Sequence, residues 1–247
     1  MDQIAITAAA GLRSRMEAVD MLSNNLANAN TGGYKLDREF YGLFSSPDGG
    51  DDVDGPSKTT LPMIQKPWTD FSQGEIQISG NPLDLALNGK GFFAVNGPSG
   101  APMYTRNGAF KLSGSGMLMT ADGYAVRGTG GAPIQASSQD PIQISATGAV
   151  QQAGQNLGQL EIVDFTDPNM LSKVGSSYFR PGSSQAKPSP VTDVRVEQGR
   201  IETSNVVPAE SAVRLVELMR QYEMLQKAVS VAADMNKKAT DEVARVG

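Results

Sequence analysis

Both ends of the chain carry an apolar seam that recurs every three or four residues, and the long stretch between them does not. Ala5, Ala8, Leu12, Val19, Leu22, Leu26 and Ala29 mark the first seam, broken at Arg15; Leu215, Leu218, Tyr222, Leu225, Val229, Ala232 and Ala239 mark the second, broken at Asn236. Such a repeat lets helices pack at a shallow angle, knobs into holes. A single helix of this kind cannot bury its own stripe. Each terminus is therefore predicted to lie along another helix, either the opposite terminus or a helix of a neighbouring copy. The expected fold class is α+β, with long N- and C-terminal helices forming a discontinuous coiled-coil domain around an inserted, mostly antiparallel β domain. Expected boundaries are 1–30 and 204–247 for the helical assembly domain, 31–74 for an extended linker and 75–203 for the β domain.

Local signals fill in this outline. A helix over residues 3–29 stops at Thr31-Gly32-Gly33, where glycine admits the backbone angles that end a helix. Prolines at 47, 56, 62 and 67 among small polar residues mark the linker. Short apolar runs then alternate with turn dipeptides: Phe92–Val95 before Asn96-Gly97, Met103–Thr105 before Asn107-Gly108, and Met117–Thr120 before Asp122-Gly123 and Tyr124–Val126. Asn-Gly and Asp-Gly suit tight hairpins, so the reading is an antiparallel meander. Runs at 142–145, 160–165 and 194–197 complete a small sandwich or irregular barrel, and 183–190 is a loop. The last helix is predicted to begin after Ser204-Asn205, two good capping residues, with Pro208 in its first turn. Acid-before-base pairs four residues apart, Glu210 to Arg214 and Glu223 to Lys227 among them, indicate a wet outer face.

The absent residues exclude whole classes of chemistry. With no cysteine and no histidine, the chain has no disulfide, no thiolate zinc site and no imidazole base. A net charge of -5 and a pI near 4.9 argue against a nucleic-acid binder. No apolar run is long enough for a membrane helix, and the N-terminus lacks the basic start of a secretory signal. Gly89-Lys90 lacks the Ser/Thr and upstream glycine of a phosphate loop. Asp48, Asp51, Asp52 and Asp54 lack the closing glutamate of a calcium loop and read as a solvated acidic loop. Met219, Met224 and Met235 lie on or beside the second seam and read as core filler. Glycoside hydrolysis needs two carboxylates across a cleft, and Glu75 with Asp84 or Glu161 with Asp164 are the pairs on offer. No catalytic residue, cofactor or metal is expected.

Three separated motifs carry a family likeness. Asn24-Asn25-Leu26-Ala27-Asn28 with Thr31, Gly33, Tyr34 and Lys35 resembles the N-terminal signature of bacterial flagellar rod and hook proteins. Ile201-Glu202-Thr203-Ser204-Asn205-Val206, followed by Arg220, Tyr222, Glu223, Lys227 and Ala228, resembles their C-terminal segment. Gly91-Phe92-Phe93, Tyr104–Gly108 and Asp122-Gly123 are similar to the core of the longer rod proteins. Met1-Asp2 and Asn81–Leu87 resemble the proximal rod type more than the distal, which is the alternative. Leu225 stands where distal-type proteins usually carry Asn.

The resemblance implies a structural subunit of the periplasmic rod of the flagellar basal body. It would be exported by the flagellar type III apparatus and polymerised helically with other rod proteins and copies of itself, transmitting torque without nucleic acid or small-molecule substrate. The residues expected at the assembly interface are Ala5, Ala8, Leu12, Val19, Leu22, Asn24, Asn25, Leu26, Asn28, Leu215, Leu218, Tyr222, Leu225, Val229 and Ala232. The asparagines have two readings, as local caps and turns or as amides bonding across subunits. A peptidoglycan hydrolase and a carbohydrate-binding β protein stand as remote alternatives.

Overall fold

A computed structural model describes residues 2–39, 41–45, 60–64, 68–138, 140–191 and 193–246. The chain divides into two compact units, one comprising 1–27, 37–68 and 207–247, the other 28–36 and 69–206. The aspartates at 48, 51, 52 and 54, and most of the proline-bearing part of the expected linker, lie outside the described residues.

The first unit is built on α1 (Asp2–Ala27) and α2 (Pro208–Val246). Pro208 opens α2 because its fixed φ suits a first turn and its missing N–H has no partner to lose there. Ser211 N donates to Val207 O, closing that turn, and Glu210 places negative charge at the positive end of the helix. Strands Tyr41–Ser45 and Thr60–Ile64 pair antiparallel, and α1 packs against the second of them.

The expected coiled-coil fold class is corrected by this structure. The chain is mostly β, with nineteen strands and two α-helices among the described residues. Among the described residues, the buried helix contact comprises Ala18, Leu22 and Leu218, flanked by half-buried Val19 and Leu215. Two physical causes account for the difference. The surface of α1 is shared with a hairpin, and α2 places Val213, Val216, Met224, Val231 and Met235 on the side away from its seam.

In the second unit the main sheet runs, in spatial order, Leu171–Val174, Tyr178–Pro181, Pro102–Thr105, Phe92–Asn96, Ile162–Asp164 and Ser189–Pro190, every pair antiparallel. Successive residues point to opposite faces, and here both faces are dry. Phe93, Val95, Met103 and Tyr178 join Leu85, Leu87, Leu118 and Val150 in the larger core. Phe92, Ala94, Tyr104 and Phe179 join Val163, Phe165 and Leu171 in the smaller one. Two consecutive phenylalanines thus serve two cores. Phe93 meets Phe110 edge-on at 5.2 Å, and Phe92 meets Phe165 at 6.1 Å.

Smaller pieces cover this sheet: a three-stranded sheet of Ile142–Ile144, Ala149–Gln152 and Gln155–Gln159, and ribbons pairing Leu85–Asn88 with Arg195–Gln198 and Ile76–Ile78 with Arg200–Glu202. The turn after Asn96-Gly97 joins two paired strands, with Gly97 N bonded to Ala101 O. At Asp122-Gly123, Thr120 N bonds to Tyr124 O, again a tight turn. Asn107-Gly108 is different. The strands on either side of it pair elsewhere, and glycine is needed because the Leu85 carbonyl occupies the space a Cβ would fill.

Candidate assembly interface

Leu22 and Ala18 on α1 meet Leu218 on α2, with Val19 and Leu215 beside them. A Cβ at Gly11 would touch Leu225 at 4.0 Å, so the two helices run antiparallel. Leu12, Leu26, Tyr222, Leu225 and Val229 are half-buried. The side chains of Ala5, Ala8 and Ala232 lie outside those described. Met16, Val19, Met219, Tyr222, Glu223 and Gln226 line a groove of about 400 Å³ along the helix pair.

A second apolar face on α2 was not visible as a seam. Val213, Val216, Met224, Val231 and Met235 are 62, 50, 62, 58 and 66 % exposed. At about 3.6 residues per turn they fall on one side of the helix, opposite Leu215, Leu218, Tyr222, Leu225 and Val229. Arg220 and Lys227 lie along the same side. The core-filler reading of the methionines does not describe Met219, Met224 or Met235, each at least half exposed. Because α2 has 39 residues against 26 in α1, its antiparallel partner leaves part of its length uncovered.

The asparagines separate by role. Asn25 is buried and bonded within the unit, its Nδ2 donating to Asp37 O at 2.8 Å and its Oδ1 accepting from Asp37 N at 3.0 Å. Asn28 caps a turn, its carbonyl accepting from Thr31 N and its Oδ1 from Thr31 Oγ1. Asn24 is exposed. Asn205 caps no helix; its amide oxygen accepts from Leu36 N, and its Nδ2 donates to Asp70 O and Ser72 O.

The β unit also holds a buried charge cluster that sequence reasoning missed. Glu202 accepts from Lys35 Nζ through Oε1 at 2.5 Å and from Arg106 Nη1 through Oε2 at 3.1 Å, and all three side chains are at most 5 % exposed. Lys35 Nζ also donates to Ser72 O, and Arg106 Nη2 to Gly89 O at 2.7 Å. The Arg106 guanidinium lies 5.5 Å from the Phe92 ring centre. Burial pushes both the Lys35 ammonium and the Arg106 guanidinium below their usual values, with Glu202 opposing the shift in each. The signal was present in sequence, since each residue sits inside one of three family-like motifs, but nothing local said that the three would meet.

Neither proposed carboxylate pair is left to do acid–base chemistry undisturbed. Glu161 is held by Arg127 at 2.8 Å, and Asp84 accepts from Asn81 Nδ2 at 3.0 Å. Among the described residues no group of acidic side chains is arranged to hold a metal.

The chain thus combines antiparallel terminal helices, the second with exposed apolar side chains along one side, with a β unit formed by its middle. Family models match the chain in three places: residues 6–35 fit the flagella basal body rod protein model, 86–152 the flagellar hook protein FlgE/F/G D1 domain, and 197–242 the C-terminal region of flagellar basal body rod FlgEFG proteins. Similar relatives include the flagellar basal-body rod protein FlgF of Caulobacter vibrioides, 31% identical over 92% of both chains. FlgF of Mesorhizobium japonicum is 32% identical over 89% of this chain and 88% of its own. FlgG of Borreliella burgdorferi is 33% identical over 93% and 94%. The chain belongs to the flagellar basal-body rod proteins of the FlgF/FlgG type.

Proposed function

We propose that this chain is a structural subunit of the flagellar rod, added to a helical assembly through its two terminal helices and occupying the proximal, FlgF-type position. The observation that carries the reading is the uncovered apolar side of α2, where Val213, Val216, Met224, Val231 and Met235 are each at least half exposed. Exposed apolar side chains along one side of a helix, here interspersed with Arg220 and Lys227, mark an association site. Its natural partners are helices of other rod proteins and of further copies of this chain. A contact between unlike faces that never closes on itself generates a helical filament.

Two properties of the chain suit the proposed route. It has no cysteine to be trapped during passage through the flagellar type III apparatus or in an oxidising compartment. Its β unit is buried on both sheet faces and so gives a rigid body through which torque can pass. The proximal position is supported by Met1-Asp2 and the Asn81–Leu87 segment.

The absence of native thiols makes the test direct. A single cysteine at Val216 or Met224 should crosslink in assembled basal bodies, and mass spectrometry of the product identifies the neighbour. Adducts with the adjoining rod proteins would fix the position along the axis. Motile cells with no adduct at either site would refute the interface.

A further inference from the structure

Three segments far apart in sequence converge on Glu202. Lys35 is 167 positions away and Arg106 is 96, yet each donates to a different oxygen of the same carboxylate. The cluster carries two cations and one anion, and no component is more than 5 % exposed. Glu202 is the sole carboxylate within salt-bridge distance of either cation among the described residues. It also orders the backbone around it. Its carbonyl accepts from Gly33 N at 2.8 Å, and its Oε1 accepts from Gly74 N at 3.0 Å.

The segment 28–36 is laid over this point with no room to spare. Gly33 takes φ +65°, and a Cβ there would overlap the Arg106 carbonyl carbon and the Asn107 nitrogen. Beyond it, the Asn205 amide ties Leu36 to residues 70 and 72. The floor on which 28–36 rests is therefore made by residues 106–107 and 202–205.

Without Glu202, two buried cations would face each other with neutral hydrogen-bond acceptors and only the weaker opposite charges of Asp70 and Asp164 nearby, a state that strongly disfavours burial. Lys35 and Arg106 must then stay in water, and 28–36 cannot dock. We propose that Lys35, Arg106 and Glu202 form a closing lock, through which the β unit completes itself only when its N-terminal strap, 28–36, and its C-terminal strap, 200–206, are both in place. The strand core forms from residues between the straps, and the lock makes its final closure conditional on the last part of the unit to be supplied.

The lock makes a ranking that mere packing would not. Lys35→Met leaves a balanced Arg106–Glu202 pair, whereas Glu202→Gln strands two cations. Hydrogen exchange followed by mass spectrometry on the full chain reads both. Glu202→Gln should speed exchange in 28–36 and 69–74 by about a hundredfold or more, in line with the cost of breaking a buried ion pair. Strands Phe92–Asn96 and Pro102–Thr105 should stay protected. Lys35→Met should produce a smaller increase, and Glu197→Gln, which removes a half-buried partner of exposed Arg200, none. Unchanged protection of 28–36 in Glu202→Gln, or a larger effect from Lys35→Met, would overturn the lock. Should Glu202→Gln fail to fold, pulse labelling during refolding of the unaltered chain decides the question. Residues 33–36 should gain protection together with 200–205, and protection of 33–36 in an earlier phase would overturn the proposal.

Discussion

Lys35 brings its ammonium into a space closed to water, facing Glu202, with Arg106 as a like charge nearby and Asp70 as a weaker opposite one. Its folded pKa lies below the ordinary 10.5, mainly through burial. Between that lowered value and 10.5 the unfolded chain binds the extra proton, so this residue makes stability rise with pH across the window. Tyr104 and Tyr178 act in the opposite sense. Burial raises both above their ordinary 10.0, helped at Tyr178 by its hydrogen bond to Asp122, so above that pH the folded chain holds the extra protons and stability falls. Lys35→Met removes the first effect and leaves the second. Urea midpoints measured as pH rises toward 10.5 should therefore shift in favour of the unaltered chain relative to the variant. A difference that does not vary with pH would contradict this assignment.

At the scale of elements, the two sides of α2 are predicted to fail in different ways. Leu218 is 5 % exposed against α1, so Leu218→Ala should lower the stability of the helical unit by about 2–4 kcal/mol, read by circular dichroism in urea. Met224→Asp lies on the exposed side and should change stability by less than about 0.5 kcal/mol. It should nonetheless abolish incorporation into basal bodies. The helices were legible because their apolar spacing and Pro208 are local signals, and the turns at Asn96-Gly97 and Asp122-Gly123 were legible for the same reason. The strands Tyr41–Ser45 and Thr60–Ile64 fall in the segment read as an extended linker partly paired as strands, but their positions were not legible. Pro62 lies inside the second of them, opposite Leu43, where proline ordinarily argues against a strand. Pairings such as Ile76–Ile78 with Arg200–Glu202 join residues more than a hundred positions apart, and no local pattern specifies them. The second face of α2 escaped notice because valine and methionine at mixed spacing resemble ordinary core filling until exposure is known.

At the scale of the molecule, the chain's own order conceals which pieces cohere. Residues 28–36 belong with 69–206, although 37–68 intervene and belong with the helices. Limited proteolysis of the monomer within 37–68 and after 206 should thus leave a peptide containing 28–36 that co-elutes with the 69–206 fragment under native conditions. Denaturant should release it. Loss of the peptide on native gel filtration would show that the strap adds little to the unit.

The main sheet ends on one side at Ser189–Pro190, a strand of two residues. Pro190 has no N–H to offer a newcomer, and so short a border gives it almost nothing to align with. Molecules crowded side by side consequently cannot zip together along that border into runaway fibrils. Growth of the proposed rod would then fall to other surfaces.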